Sequence, residues 1–391
     1  MATAASLTTR IEDALAARNE QSTAFFEREA ERLAAACRQM SDRFLAGGRL
    51  IAFGRGPCST DAQHVSVEFV HPVIVGKRAL PALDLSLDFV RWAPTVTGAA
   101  DMVMGFSPPA GDPDVADTMD TAAAKGAMTF ALPGAHGDYC IDAVSDDPFI
   151  QQEIVETLYH TLWETVHVFF ERRELGHDIG QAGFLYPFLG RDRQPASDTA
   201  GEVAASIRAK AAEVSALRTA VGFDQAEAMG EAALAIRQRL SRGGKIIALG
   251  NGGSATDAND LVLDCVGPPP GLVPIPAVSL SLEAASVTAI ANDVGTEAIF
   301  LRQLVAHAMR DDVVVVFSTS GGSRNIVAAL EEARKRELLT IAFVGYDGGE
   351  IGRRSLADIP LIVRSDYIPR IQEVHASMYH LVRQLIEVSH G

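Results

Sequence analysis

The sequence contains the segment Gly47-Gly48-Arg49-Leu50-Ile51-Ala52-Phe53-Gly54 and repeats it as Gly243-Gly244-Lys245-Ile246-Ile247-Ala248-Leu249-Gly250. In each segment a short apolar run is enclosed by glycines, which is typical of a buried strand that runs into a tight turn. The segments begin at residues 47 and 243, so they are separated by 196 positions in a chain of 391 residues. We therefore interpret the chain as one structural unit that is present twice.

Both copies show the same order of elements around this segment. A helical pattern precedes it, at 7–45 and 202–240, and apolar strand patterns alternate with helices after it. Strands that are apolar throughout and alternate with helices favour a parallel sheet that is covered on both faces. We expect the main strands at 50–53, 102–106, 128–132, 246–249, 313–317 and 340–344.

This order of elements predicts an α/β protein. Two tandem domains are expected, each a doubly wound, flavodoxin-like parallel sheet with a helical lead-in. We place the domains at 1–171 and 201–391, and we interpret 172–200 as a linker, because its glycines, prolines and aromatic residues fit neither copy.

The composition argues against several classes of protein. Lys and Arg total 34 against 50 Asp and Glu, a formal net charge of −16. We therefore expect no binding to nucleic acid or to an anionic membrane surface. The four cysteines show no CxxC spacing, and the N-terminal residues do not resemble a signal peptide. A cytoplasmic location is the expectation that follows.

Two loops of the second copy follow predicted strands and precede helices. They are Gly250-Asn251-Gly252-Gly253-Ser254 and Ser318-Thr319-Ser320-Gly321-Gly322-Ser323, called here the glycine loop and the serine loop. In open parallel sheets, ligands bind beyond the carboxyl ends of the strands, where helix N–H groups favour anions. Because a helix cap uses one hydroxyl and the serine loop offers four, we predict that this loop binds a phosphate.

Four ordered motifs resemble a known family. GNGGS (250–254), AIANDVG (289–295), STSGGS (318–323) and RIQEVH (370–375) are similar to the sugar isomerase (SIS) fold, and to its phosphoheptose (sedoheptulose-7-phosphate) isomerase branch. The resemblance is strong over 202–391 and degraded over 7–171. It implies a sugar-phosphate aldose–ketose isomerase that acts by metal-assisted proton transfer through an enediolate.

The resemblance also implies the roles of individual residues. Ser318, Thr319, Ser320 and Ser323 are expected to bind the sugar phosphate. The glycine loop, with Asn251, Gly252, Gly253 and Ser254, is expected to assist. Asn292 and Asp293 are expected to contact the sugar.

The resemblance implies a divalent metal as the cofactor, and we expect this metal to be zinc. In the first copy its ligands are expected to be His64, Glu68, Gln152 and His160. The corresponding residues of the second copy are Asp260, Asp264, Gln372 and His380, where the aspartates lack an imidazole and make zinc binding doubtful. The expected acid–base residues are Glu68, His160 and His380.

Each copy retains a motif that the other has lost. In the first copy, Ser107-Pro108-Pro109 replaces the start of the serine loop, and Asp112 replaces Ser323. The prolines remove backbone donors, and the carboxylate repels a phosphate. One hypothesis is a single composite site shared by the two copies. The other is that the second copy works alone with Asp260 and Asp264, while the first copy is a scaffold.

Further alternatives stay open. Gln152 and His160 are eight residues apart, roughly 12 Å along a helix. Both could reach one metal through long convergent side chains, through a non-helical position of Gln152, or across domains. The protein could also be a non-catalytic sugar-phosphate sensor or a partner of other proteins, or it could catalyse a different SIS reaction. The resemblance implies a homo-oligomer, which we expect to be a dimer of tandem chains that mimics a tetramer.

Overall fold

The computed structural model describes residues 4–74, 77–174 and 196–387. The strands of the first copy are β1 (Leu50–Phe53), β2 (Ala82–Asp84), β3 (Met102–Phe106), β4 (Met128–Leu132) and β5 (Tyr139–Cys140). Those of the second copy are β6 (Ile246–Gly250), β7 (Ala277–Ser279), β8 (Val313–Ser318), β9 (Leu339–Gly345) and β10 (Ile359–Val363).

Helices connect these strands in both copies. In the first copy they are α1 (Ala4–Leu45), α2 (Cys58–Val70), α3 (Phe89–Val96), α4 (Pro113–Ala124) and α5 (Pro148–Glu174). The remaining helices are α6 (Ala196–Leu240), α7 (Gly253–Val266), α8 (Ala284–Asp293), α9 (Ile299–His307), α10 (Arg324–Lys335), α11 (Gly349–Arg353) and α12 (Ile368–Leu385). In the described ranges, no helix is both long enough and apolar enough to cross a bilayer.

The two sheets have the same topology. The strand orders are β2-β1-β3-β4-β5 and β7-β6-β8-β9-β10, and the paired strands are parallel in both sheets. This is the flavodoxin-like order, in which strand order reverses beside the first strand and leaves a crevice at the carboxyl ends. The predicted fold class is confirmed.

The central strands could be recognised in the sequence because their residues are buried and therefore form uninterrupted apolar runs. All residues of β3 and β8 are buried, and β8 is rich in valine, whose branched side chain suits a strand packed on both faces. The edge strands β5 and β10 were not predicted. β5 has only two residues, and β10 contains Pro360, which a sheet accepts only at its edge or at a bulge.

A side-chain clasp occurs at the same place in both sheets. The Thr129 backbone N–H and its hydroxyl donate to Asp138 Oδ2, at 2.9 and 3.2 Å. Thr340 donates in the same two ways to Asp358 Oδ2, at 2.9 and 2.8 Å. Each clasp ties the β4 or β9 strand to the segment that leads to the edge strand. The repeat found in the sequence therefore extends to the hydrogen bonds.

The chain divides into two compact units. One is Glu20–Ser215, called here the N-terminal unit, and the other is Met1–Asn19 with Ala216–Gly391, called the C-terminal unit. Each lead-in helix thus contributes to both units. In the N-terminal unit, Ile207 of α6 belongs to the same buried core as Phe25 of α1.

The C-terminal unit contains the first turns of α1 in the same way. A methyl group added at Gly222 of α6 would lie 3.2 Å from Leu15, and one added at Gly230 would lie 3.4 Å from Leu7. The domain boundaries at 171 and 201 stay a prediction. Residues 175–195 of the predicted linker lie outside the described residues, while its two ends belong to α5 and α6.

Candidate active site

Two helices of the N-terminal unit bring three ionisable side chains together. α2 follows β1 and carries His64 and Glu68 one turn apart, and α5 carries His160. His160 Nε2 lies 3.3 Å from His64 Nε2, and Glu68 Oε1 lies 3.9 Å from the same His64 nitrogen. All three side chains are buried. We call this group the histidine–glutamate cluster.

The histidine–glutamate cluster could hold a metal ion, since one ligand atom from each residue lies within 4.8 Å of the others. Two nitrogens bound to one tetrahedral zinc at ~2.0–2.1 Å would be about 3.3 Å apart, and the two Nε2 atoms are separated by 3.3 Å. Burial lowers the pKa of His64 well below 6.5, and His160 lowers this pKa further. The neutral imidazole that results is the form that binds metals.

Gln152 lies eight residues before His160 on α5, about two helical turns away. Its amide nitrogen donates to the Pro57 carbonyl oxygen, Thr60 Oγ1 and Asp61 Oδ2, at 3.3–3.4 Å. Because α5 begins at Pro148, Gln152 is helical, and the non-helical entry considered from the sequence is not found. Its role as a metal ligand stays a prediction.

Glu156 was missed in the sequence and lies beside the cluster. It is buried, it precedes His160 by one helical turn, and its Oε1 is 4.0 Å from His64 Nδ1. The i, i+4 spacing to His160 was a signal that could have identified it.

The second copy places an acidic cluster at the corresponding position. His380 Nε2 lies 3.2 Å from Asp260 Oδ2 and 3.4 Å from Asp264 Oδ2. The Tyr379 hydroxyl donates to Asp260 at 2.8 Å. Burial, followed by the charge of Asp260, raises the pKa of Asp264 to about 7. These three residues could also hold an ion. Gln372 is buried on the same helix as His380.

The serine loop lies between β8 and the start of α10. Ser318 Oγ is buried and has no hydrogen-bond partner within the described part of the chain. Ser323 occupies the N-cap of α10, yet its hydroxyl makes no capping bond to the described residues. Ser320 Oγ accepts a hydrogen bond from the Gly322 backbone N–H at 3.3 Å. Hydroxyls and helix N–H groups are thus left for an anion.

The glycine loop is tied to the serine-loop helix by two amides. Asn251 Nδ2 donates to Asn325 Oδ1 at 3.0 Å, and Asn325 Nδ2 donates back to Asn251 Oδ1 at 2.8 Å. Gly252 adopts a positive φ of 57° before α7 begins at Gly253, and Ser254 is buried in the first turn. Because β6 and β8 are neighbours in the sheet, the structure brings the two loops together at the carboxyl ends of these strands.

Charged residues replace these features in the first copy. Asp112 caps α4 by accepting from the Asp114 and Val115 backbone N–H groups, at 2.9 and 3.3 Å. Arg55, which corresponds to Asn251, donates to Asp114 at 2.6 Å. The N-cap side chain of α4 is thus a carboxylate that accepts two backbone N–H groups, whereas the Ser323 side chain at the N-cap of α10 accepts none from the described residues.

Asn292 and Asp293 lie at the end of α8. Both are exposed, and Asn292 Nδ2 donates to Asp293 Oδ1 at 2.7 Å. Among the described residues no hydrogen bond links them to the serine loop. Their contact with a sugar stays a prediction.

Comparison with known proteins agrees with this architecture. A family model described as SIS domain matches residues 211–345. A phosphoheptose isomerase of Citrifermentans bemidjiense is 42% identical over 170 residues, which are 43% of this chain and 88% of the relative. One from Helicobacter pylori is 40% identical over 165 residues, 41% of this chain and 83% of that protein.

Solved structures share the two-sheet fold at low sequence identity. The tagatose-6-phosphate ketose/aldose isomerase of Escherichia coli has a TM-score of 0.57 and 14% identity, and the match covers 99% of this chain and 96% of that one. The fold and strand-end loops thus define a tandem SIS-domain architecture. Because it also covers 88% of a relative that is 42% identical, the chain belongs to the phosphoheptose isomerase family of SIS-domain proteins.

Proposed function

We propose that this protein is a sugar-phosphate isomerase that interconverts an aldose and a ketose, with sedoheptulose 7-phosphate as the expected type of substrate. The buried cluster of His64, Glu68 and His160 is the observation that carries the proposal. The names of relatives at about 40% identity support the reaction class.

The reaction needs a base that removes a proton beside the carbonyl and an acid that serves the oxygen. We assign the base to Glu68 and the acid to His160, with His380 as the corresponding residue of the second copy. A divalent metal, zinc in our proposal, would be held by the histidine–glutamate cluster and would supply positive charge for the enediolate.

The serine loop is proposed to bind the phosphate group of the substrate. The buried Ser318 hydroxyl and the Ser323 hydroxyl, which makes no capping bond to the described residues, support this role. Dipoles and hydroxyls suffice for such a site, because N–H groups at a helix N-terminus carry partial positive charge.

The composite site stays a prediction that variants can test. If turnover depends on both copies, His64→Ala and Ser320→Ala should each abolish it. His136→Ala and Ser241→Ala change exposed residues and serve as matched controls. Full activity of His64→Ala would leave the second copy working alone with Asp260 and Asp264.

The decisive experiment is a turnover assay with C5 to C7 ketose phosphates, with and without a chelator. Conversion that is lost with chelator and regained with zinc is the expected result. If no substrate is converted while phosphate binding depends on Ser320, the protein is a sugar-phosphate sensor. The mass of the assembly in solution tests the predicted dimer of tandem chains.

A further inference from the structure

The two nitrogens of His64 face different groups within the N-terminal unit. Nε2 points to the other members of the histidine–glutamate cluster, at 3.3 Å from His160 Nε2 and 3.9 Å from Glu68 Oε1. Nδ1 lies 4.0 Å from Glu156 Oε1. Only Nε2 is thus placed to ligate an ion together with His160 and Glu68.

A ligating imidazole needs its other nitrogen protonated. Neutral histidine carries one N–H, so the hydrogen-bond acceptor near one nitrogen decides which nitrogen keeps a lone pair. Metal-bound histidines commonly donate this second N–H to a carboxylate or a carbonyl, and that partner fixes the orientation of the ring. Glu156 is a carboxylate on the side of His64 where such a partner belongs.

The helices hold Glu156 in register with the cluster. Glu156 and His160 are one turn apart on α5, as His64 and Glu68 are on α2, so two pairs at i, i+4 face each other. Glu156 is 4% exposed, so its carboxylate lies in a buried setting, where interactions between polar groups are strong. The gap of 4.0 Å exceeds the ~2.9 Å of a hydrogen bond by about 1 Å, which side-chain rotation can close.

The second copy provides an internal comparison. There Asp260 replaces His64, and an aspartate has no ring nitrogen to orient. The residue that corresponds to Glu156 in the repeat is Ala376. The chain therefore carries the carboxylate only in the copy whose ligand position is a histidine.

We propose that Glu156 is a positioning residue that accepts the Nδ1–H of His64 and thereby directs Nε2 toward a bound divalent metal. The inference rests on the proposed function, because it needs metal binding by the histidine–glutamate cluster. It adds a residue that touches neither the substrate nor the metal.

Zinc affinity of the full chain, measured by competition with a chromophoric chelator, tests the proposal. Glu156→Leu should weaken zinc binding about 10- to 100-fold, and Glu156→Gln, which keeps an acceptor oxygen, should bind with intermediate affinity. Glu29→Gln is the matched control, because Glu29 is equally buried, at 4% exposure, but bonds to Arg32 and Tyr139 away from the cluster. Circular dichroism and melting temperature establish that each variant is folded.

The outcomes separate this inference from the proposed reaction. If folded Glu156→Leu binds zinc as tightly as the wild type, the inference is overturned even where the isomerase is active. If the wild type binds no zinc that depends on His64, the inference is overturned as well. If affinity follows the order wild type, Gln, Leu while no sugar phosphate is converted, the inference stands and the proposed reaction fails.

Discussion

Gly250 and Gly54 offer a matched pair of substitutions in the two copies. A methyl group added at Gly250 would lie 2.0 Å from the Ser254 carbonyl oxygen, and one added at Gly54 would lie 2.3 Å from the Cys58 carbonyl oxygen. Ordinary contact begins at 3.4 Å, so the backbones must separate by about 1.4 and 1.1 Å. Neither clash can be relieved by a side-chain rotation, since both oxygens belong to the backbone.

The two clashes should cost similar stability but differ in function. Overpacking of this kind costs about 1–3 kcal/mol, which lowers the Tm of a unit of this size by roughly 2–4 °C for each kcal/mol. Gly250→Ala also displaces the glycine loop by more than the tolerance of a hydrogen bond. A misplacement of about 1 Å at an active site can cost roughly 100-fold in rate. Gly54→Ala displaces a loop that we expect to bind no phosphate.

Three measurements on both variants test these expectations. They are calorimetric titration with inorganic phosphate, turnover and thermal melting. We expect both variants to melt earlier, and only Gly250→Ala to bind phosphate at least tenfold more weakly, a difference of about 1.4 kcal/mol. Equal loss of phosphate affinity in Gly54→Ala would refute the assignment of the phosphate to the second copy. Unchanged melting of Gly250→Ala would refute the steric reasoning.

Two further predictions concern stability. Burial lowers the pKa of His375 from 6.5 to about 4, so its neutral form stabilises the fold fully above pH 6.5, and this contribution is lost as the pH falls toward 4. His375→Leu should therefore flatten the acid limb of a urea-unfolding series between pH 7 and 4; an unchanged slope contradicts the assignment. Ile207→Ala removes a fully buried side chain from the core of the N-terminal unit and should cost about 2–5 kcal/mol in urea unfolding. A loss below 1 kcal/mol would exclude Ile207 from that core.

The sequence predicted the bounds of strands correctly where the strands are completely buried. β1, β3 and β4 have the predicted bounds, because a strand packed on both faces is an uninterrupted apolar run. Edge strands carry a weaker pattern, and β5 is too short to show any. The contribution of each lead-in helix to both units was also outside what a pattern could reveal, because helical spacing identifies a buried face but not the unit that covers it.

The candidate site was predictable to the extent that helical spacing determines it. His64 and Glu68 at i, i+4 were expected on one face of α2, and the structure brings them to His160. Gln152 was harder to place, because a separation of eight residues puts it two turns away, against Asp61. Glu156 was missed because the repeat was used to select residues, and its counterpart is Ala376.

The shared lead-in helices make each copy depend on the other for a complete core. A cut at the midpoint of the chain removes Val203, Ala204, Ile207 and Ala211 from the core of the N-terminal unit and the first turns of α1 from the other unit. Neither half can be discarded without damage to what remains. The first copy, although its counterpart of the serine loop is altered, is therefore still needed for the C-terminal unit to be complete.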